Sequence, residues 1–180
     1  SSTFVGIEVE VENVIEYRLY NWQAIKDGSL RNNGKEYISK ALWPDDVTSE
    51  LALLFCLLGQ QDPKPDFSWR TSTHVHLCVR DLTIEQLFKL FLLYLTFEKL
   101  LFQFADPERE KSIFCVPVTR SSLAFDLARF FTQQVGIGGL MGAWHKYSAL
   151  NLTRLGDYGT VECRHLPGSW DPMKIATWIG

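Results

Sequence analysis

The chain has 180 residues, 46% of them hydrophobic, with 18 basic against 21 acidic side chains for a net charge of −3. That is enough apolar material for one globular domain, residues 1–180, with a real core. The balanced charge, with no basic patch and no long like-charge run, argues against a nucleic-acid partner and against a disordered tail.

Four cysteines, Cys56, Cys78, Cys115 and Cys163, stand without a CxxC or any metal spacing. Each is expected as buried apolar filler in a reducing compartment, which makes the cytoplasm the expected location. The chain opens Ser-Ser-Thr, with no signal peptide and no initiator methionine, and is expected to be a processed chain or a piece of a longer one.

The first stretch, Phe4 to Glu12, alternates strictly after Gly6. A strand of that pattern puts Ile7, Val9 and Val11 on one face and Glu8, Glu10 and Glu12 on the other. Same-face neighbours about 6.5–7 Å apart can reach one divalent cation or a close metal pair, or simply form a solvated acidic face. Val14 to Trp22 reads either as a continuation or as a loop back. Asp27-Gly28 and Asn33-Gly34 are turn signals, and Glu36 to Ser39 follows as a short strand with Glu36 and Ile38 on one face.

Pro44-Asp45-Asp46 starts a helix with an Asp cap. Val47, Leu51, Leu54, Phe55 and Leu58 form its core face, and Gly59 ends it. Arg70 to Arg80 alternates again, with Arg70, Ser72, His74 and His76 on one face. A His-x-His in mid-strand is either structural or a contact to metal or phosphate.

Thr83-x-x-Gln86 is a capping box opening the long apolar helix Ile84 to Ala105. Glu85, Lys89, Glu98 and Lys99 make a membrane span the wrong reading, so this is expected to be the central core helix. Ile113 to Val118 reads as a short strand or a loop. A helix from Ser121 or Ser122 to about Gln134 turns Leu123, Leu127, Phe130 and Phe131 inward. The glycine-rich stretch Gly136 to Gly142 lacks the Lys-Ser/Thr of a phosphate loop and is expected to be a connector or a lid over substrate.

Tyr147 to Leu152 is a strand, Leu155 to Gly159 a turn, and Thr160 to Leu166 a strand with Thr160, Glu162 and Arg164 on its polar face. Asp171-Pro172 opens a last amphipathic helix, and Gly180 falls part-way along it, an expected truncation of that wall.

Four strands thus carry chemistry on one face: Glu8 and Glu10, Glu36, His74 and His76, Glu162 and Arg164. The expected fold class is α+β, a curved antiparallel sheet with helices packed on one face and a charged face left open. Clustered glutamates repel unless cations neutralise them, and carboxylate oxygens suit Mg²⁺ or Mn²⁺.

The order of these motifs resembles the amidoligase family of carboxylate–amine ligases, compact relatives of glutamine synthetase and glutamate–cysteine ligase. The carriers are Gly6-x-Glu8-x-Glu10, Asp27-Gly28-Ser29-Leu30 with Glu36-Tyr37-Ile38-Ser39, His74-Val75-His76, Lys146-Tyr147 through Asn151-Leu152, and Val161-Glu162-x-Arg164. The resemblance covers almost the whole chain. It implies a glutamine-synthetase-like catalytic domain that forms an amide or isopeptide bond through an acyl phosphate, using ATP and Mg²⁺ (or Mn²⁺), from small-molecule or peptide carboxylate and amine substrates.

The resemblance also implies roles for residues. Glu10 and Glu36 bind one cation; Glu8, His74 and Glu162 bind the nucleotide-side cation. His76 lies near the nucleotide phosphates, and Arg164 grips the transferring phosphoryl group. Asp27, Ser29 and Asn151 line the substrate or nucleotide pocket, with Asp27 counted beside Arg164 as catalytic and Lys146 beside His76 as nucleotide-binding. Two positions depart from the pattern: Thr73 stands where a glycine precedes the first histidine, and Lys146 stands where an arginine is common.

Three rivals remain at this level. A His-x-His metallohydrolase barrel needs about 250 residues and continuously apolar strands. A phosphotransferase of the guanidino kinase type would stop at phosphoryl transfer. A binding or assembly module would keep the fold without turnover.

Overall fold

The computed structural model describes residues 4–15, 18–132 and 137–180. They form an α+β fold in which six strands make one open antiparallel sheet, in the order β2-β3-β1-β4-β6-β5. The chain divides into two compact units, residues 1–75 with 166–180, and residues 76–165. The division falls within β4 (Ser72–Cys78) and within β6 (Thr160–Pro167).

In the first unit, β1 (Val5–Val11) and β2 (Trp22–Ile25) lie antiparallel on either side of β3 (Lys35–Ser39). The register sets Val9 opposite Tyr37 and Glu10 opposite Glu36. Alternation buries Ile7, Val9 and Val11 completely on one side. Glu8, Glu10 and Glu12 on the other side are buried too, so β1 has no solvated acidic face. β2 lies in and just beyond the stretch that the alternation leaves open, because Trp-Gln-Ala-Ile is too short to show a period.

Helix α1 (Val47–Gly59) buries Val47, Leu51, Leu54, Phe55 and Leu58, the residues its spacing selects. The expected Asp cap is not formed: Asp46 already has helical φ and ψ and makes no side-chain capping bond. The 3₁₀ turn Pro44–Asp46 winds directly into the helix, and the Val47 N–H donates to the Pro44 carbonyl instead. Helix α6 (Pro172–Ile179) packs on α1, opened by Asp171, whose carboxylate accepts from the Met173 and Lys174 N–H groups. Phe55, Phe67 and Trp170 meet edge to face beside them, the last two with ring centres 4.8 Å apart.

The second unit is built on α2 (Ile84–Ala105), opened by the reciprocal Thr83–Gln86 capping box. Its inner stripe of Leu87, Phe91, Tyr94, Glu98, Phe102 and Ala105 is buried. The expectation of a central core helix holds for that stripe alone: Leu92, Leu93, Phe97, Leu100 and Phe104 are exposed. A helix packed on one layer covers one stripe, whatever the residues on its far side.

Glu98, at 1% exposure, is held by four donors. Its Oε1 accepts from the Tyr94 hydroxyl (2.7 Å) and the Val118 N–H (2.7 Å), and its Oε2 from the Thr119 N–H (2.9 Å) and hydroxyl (2.5 Å). Burial, then Glu98, pushes the Tyr94 phenol pKa well up.

Ile113 to Val118 is irregular rather than a strand, and Val116 makes a parallel bridge to Ser148. Helix α3 (Leu123–Thr132) buries Leu123, Leu127 and Phe130; the Phe131 side chain and Gln134 lie outside the described residues. Gly136 is also outside them, but the rest of the glycine-rich stretch is not a loop. Ile137–Ala143 is helix α4, packed against α3 with Leu140 buried. Contact on one face outweighs a glycine penalty of about 1 kcal/mol per residue.

Strand β5 (Leu150–Asn151) is shorter than the predicted Tyr147 to Leu152 and pairs antiparallel with β6. Between them α5 (Leu155–Tyr158) closes on Gly159 at φ +63°, the left-handed cap that favours glycine. Cys115 and Cys163 are buried, and burial pushes their thiols up to about 11 and about 12. Cys78 is only half-buried and Cys56 is exposed, so the filler role holds for two of the four. Among the described residues no helix is long and apolar enough to cross a membrane.

Candidate functional site

Glu8 and Glu10 leave β1 on the same side, because they are two residues apart in a strand. Direct pairing of Glu10 with Glu36 brings in a third carboxylate from β3. His74 comes from β4. Its Nδ1 lies 3.0 Å from Glu8 Oε2, and its Nε2 lies 2.7 Å from Ser72 Oγ and 3.9 Å from Glu10 Oε1. The Ser72 hydroxyl donates to Glu10 Oε2 at 2.5 Å, so Ser72 ties the histidine to the carboxylate. This serine faces the same way as His74 in the alternation, which is the signal that could have singled it out.

Glu10, Glu36 and His74 each offer one ligand atom, all within 4.8 Å of one another. Opposite ligands of an octahedral Mg²⁺ stand about 4.2 Å apart, so a small side-chain movement would close the set on a cation. The two carboxylates are hard oxygen donors of the kind that Mg²⁺ and Mn²⁺ take, and the imidazole, with Glu8 on the ring, is a borderline donor that suits Mn²⁺ better than Mg²⁺. The donor set therefore fits a divalent cation.

The same crowding governs protonation. Glu36 is pushed up to about 9, first by burial, then by its hydrogen bond with Glu8, and then by the charges of Glu8, Glu10 and Asp27. Three carboxyls and one turn aspartate share a small volume, and it is Glu36 that this crowding holds protonated.

Asp27 and Ser29 sit at the turn beside Glu36. The Asp27 carboxylate accepts from the Ser29 N–H at 2.7 Å, and the Arg70 guanidinium donates to the Ser29 carbonyl at 3.1 Å. Arg70 is thus a clamp on the turn that the sequence reading placed on the right face without a role. Glu12 is not free for a ligand, since its Oε1 accepts from the Arg31 N–H at 2.7 Å.

The second unit carries the other predicted residues. Asn151 of β5 stands opposite Glu162 of β6, and its amide donates to Glu162 Oε2 at 2.7 Å. The Arg164 guanidinium donates to Glu162 Oε1 at 2.5 Å and to the Phe114 carbonyl at 3.2 Å, and lies 5.8 Å from the Tyr147 ring. The Arg164 carbonyl accepts from buried Arg109 at 3.0 Å. Glu162, Arg164 and Asn151 therefore form one buried polar group.

His76 of β4 places its Nδ1 3.1 Å from the Thr160 hydroxyl. Lys146 is exposed, with its ammonium 4.7 Å over the Tyr147 ring. His165, the neighbour of Arg164, is fully buried with its Nε2 3.1 Å from the Tyr94 hydroxyl; burial, then the charge of Arg109, lowers it to about 3.

No protein-family model matches this chain, and neither a curated protein nor a solved structure matches it.

Proposed function

We propose that this chain is an ATP-dependent carboxylate–amine ligase of the glutamine-synthetase-like kind, working with Mg²⁺ or Mn²⁺. The observation that carries the reading is the meeting of Glu10, Glu36 and His74, with Glu8 against the imidazole, on neighbouring strands. Buried carboxylates in that number are costly unless a cation or protons offset them.

The overall reaction takes a carboxylate oxygen to the γ-phosphorus of ATP with ADP leaving, then an amine nitrogen to the acyl carbon with phosphate leaving. A bound divalent cation supplies neutralisation of phosphate charge. Glu10 and Glu36 would hold the cation. Ser72 fixes the Glu10 carboxylate, and His74 sets Glu8. The Asp27–Ser29 turn, clamped by Arg70, offers the wall on which a substrate is selected. Arg164, whose planar guanidinium suits a phosphoryl group, and Glu162 are the groups assigned to phosphoryl transfer and the nucleotide-side cation.

The test is ADP release by the purified chain with ATP, Mg²⁺ and panels of carboxylates and amines. Release that requires both co-substrates, and that drops at least 100-fold in Glu10→Gln and in Glu162→Gln, supports the ligase. A stable phosphorylated acceptor made without an amine would assign the site to a phosphotransferase. Cation binding without turnover on any panel would leave a binding module.

A further inference from the structure

Helix α2 carries a second apolar stripe. Leu93, Phe97, Leu100 and Phe104 follow one another at steps of four, three and four residues, and are 57%, 47%, 57% and 62% exposed. At about 100° per residue they centre roughly 130° round the helix from the buried stripe. No charged residue interrupts them: Lys89 is paired with Glu85 at the N-terminal end, and Lys99 points away on the far side by the same periodicity.

Single exposed leucines are ordinary, but a continuous line is not. These four side chains leave roughly 400–500 Å² of apolar surface in water, within the range of the largest, often functional, patch on a monomer.

We propose that this stripe is covered by the α2 helix of a second copy of the chain, running antiparallel about a two-fold axis. Three features point to a copy. The four-three-four spacing is the repeat by which two helices interdigitate side chains along a seam. The order Leu-Phe-Leu-Phe is the complement of its own reversal. Antiparallel pairing sets Leu93 of one copy against Phe104 of the other, and Phe97 against Leu100, so every layer holds one large and one smaller side chain at uniform spacing. Parallel pairing would alternate Phe–Phe with Leu–Leu layers and leave the helices unevenly spaced.

The third feature is area. Two such stripes face to face bury about 800–1,000 Å² in total, the size of a weak, transient interface, which fits a dimer that dissociates at micromolar concentration or above. The pairing is isologous, so it closes at two copies and does not propagate into a filament. None of the residues assigned to ligation lies on α2, so the dimer stands apart from the proposed activity.

The test is sedimentation equilibrium of the full chain from about 1 to 100 µM, with the melting temperature read over the same range. The mass is expected to rise from 20.7 kDa towards twice that value, and the melting temperature to rise with concentration. Leu93→Glu and Leu100→Glu are each expected to weaken association at least tenfold, with unchanged far-ultraviolet circular dichroism. A chain that is monomeric throughout overturns the proposal, as does a dimer that both folded variants leave intact. Co-sedimentation of the monomer with phosphatidylserine vesicles, lost in Leu100→Glu and without self-association, would assign the stripe to a lipid surface and equally overturn it.

Discussion

Glu36 concentrates the chemistry of the first unit. Its folded pKa of about 9 stands well above the ordinary 4.5. Between those values the folded chain holds a proton that the unfolded chain has lost, so stability is full below about pH 4.5 and falls as pH rises towards 9. In chelator-treated protein the melting temperature should decline from pH 5 to pH 9, and Glu36→Gln should flatten that decline. The same substitution should weaken Mn²⁺ binding by at least tenfold in isothermal titration, because it removes one ligand.

Ser72 acts one step back from the cation. Ser72→Ala breaks the link between Glu10 and His74 and should cost about 10- to 100-fold in Mn²⁺ affinity while the fold is kept. His165 gives the opposite pH signature. Its folded pKa of about 3 lies below the ordinary 6.5, so its share of stability is present above pH 6.5 and lost as pH falls through that range. Acid unfolding midpoints measured with and without Mn²⁺ separate this effect from that of the carboxylate cluster.

At the level of the element, the parts that a period can show were readable and the rest were not. The five buried residues of α1 follow from 3.6-residue spacing alone, and Leu54→Ala should cost about 2–5 kcal/mol in urea unfolding. The glutamates of β1 and the histidine of β4 fall on predictable faces because a strand alternates. What alternation cannot say is which neighbour covers a face, so the burial of Glu12 against the Arg31 N–H was invisible.

Helix α4 was hidden for a different reason. Four of the seven residues from 136 to 142 are glycine, and only packing on α3 makes the described part helical. A methyl group on Gly138 or on Gly142 would meet open space. Gly138→Ala and Gly142→Ala should therefore each stabilise the chain by about 0.4–1 kcal/mol, against a loss if the segment were a loop requiring glycine.

For the molecule as a whole, the sequence carries the α+β class and the gathering of glutamates on adjacent strands. It says little about the outer side of α2, since leucines and phenylalanines read as core wherever they stand. Local pattern reports what a residue prefers, and only the number of layers decides how many such preferences are met.

Glu98 settles one more matter. Turning α2 by a single residue about its axis would swing that carboxylate through about 100° and strand four donors at once. The helix is therefore pinned in azimuth and cannot hide its greasy side by rolling over. Only a second surface can then take that side out of water, so its burial is decided between molecules and not by a shift within the fold.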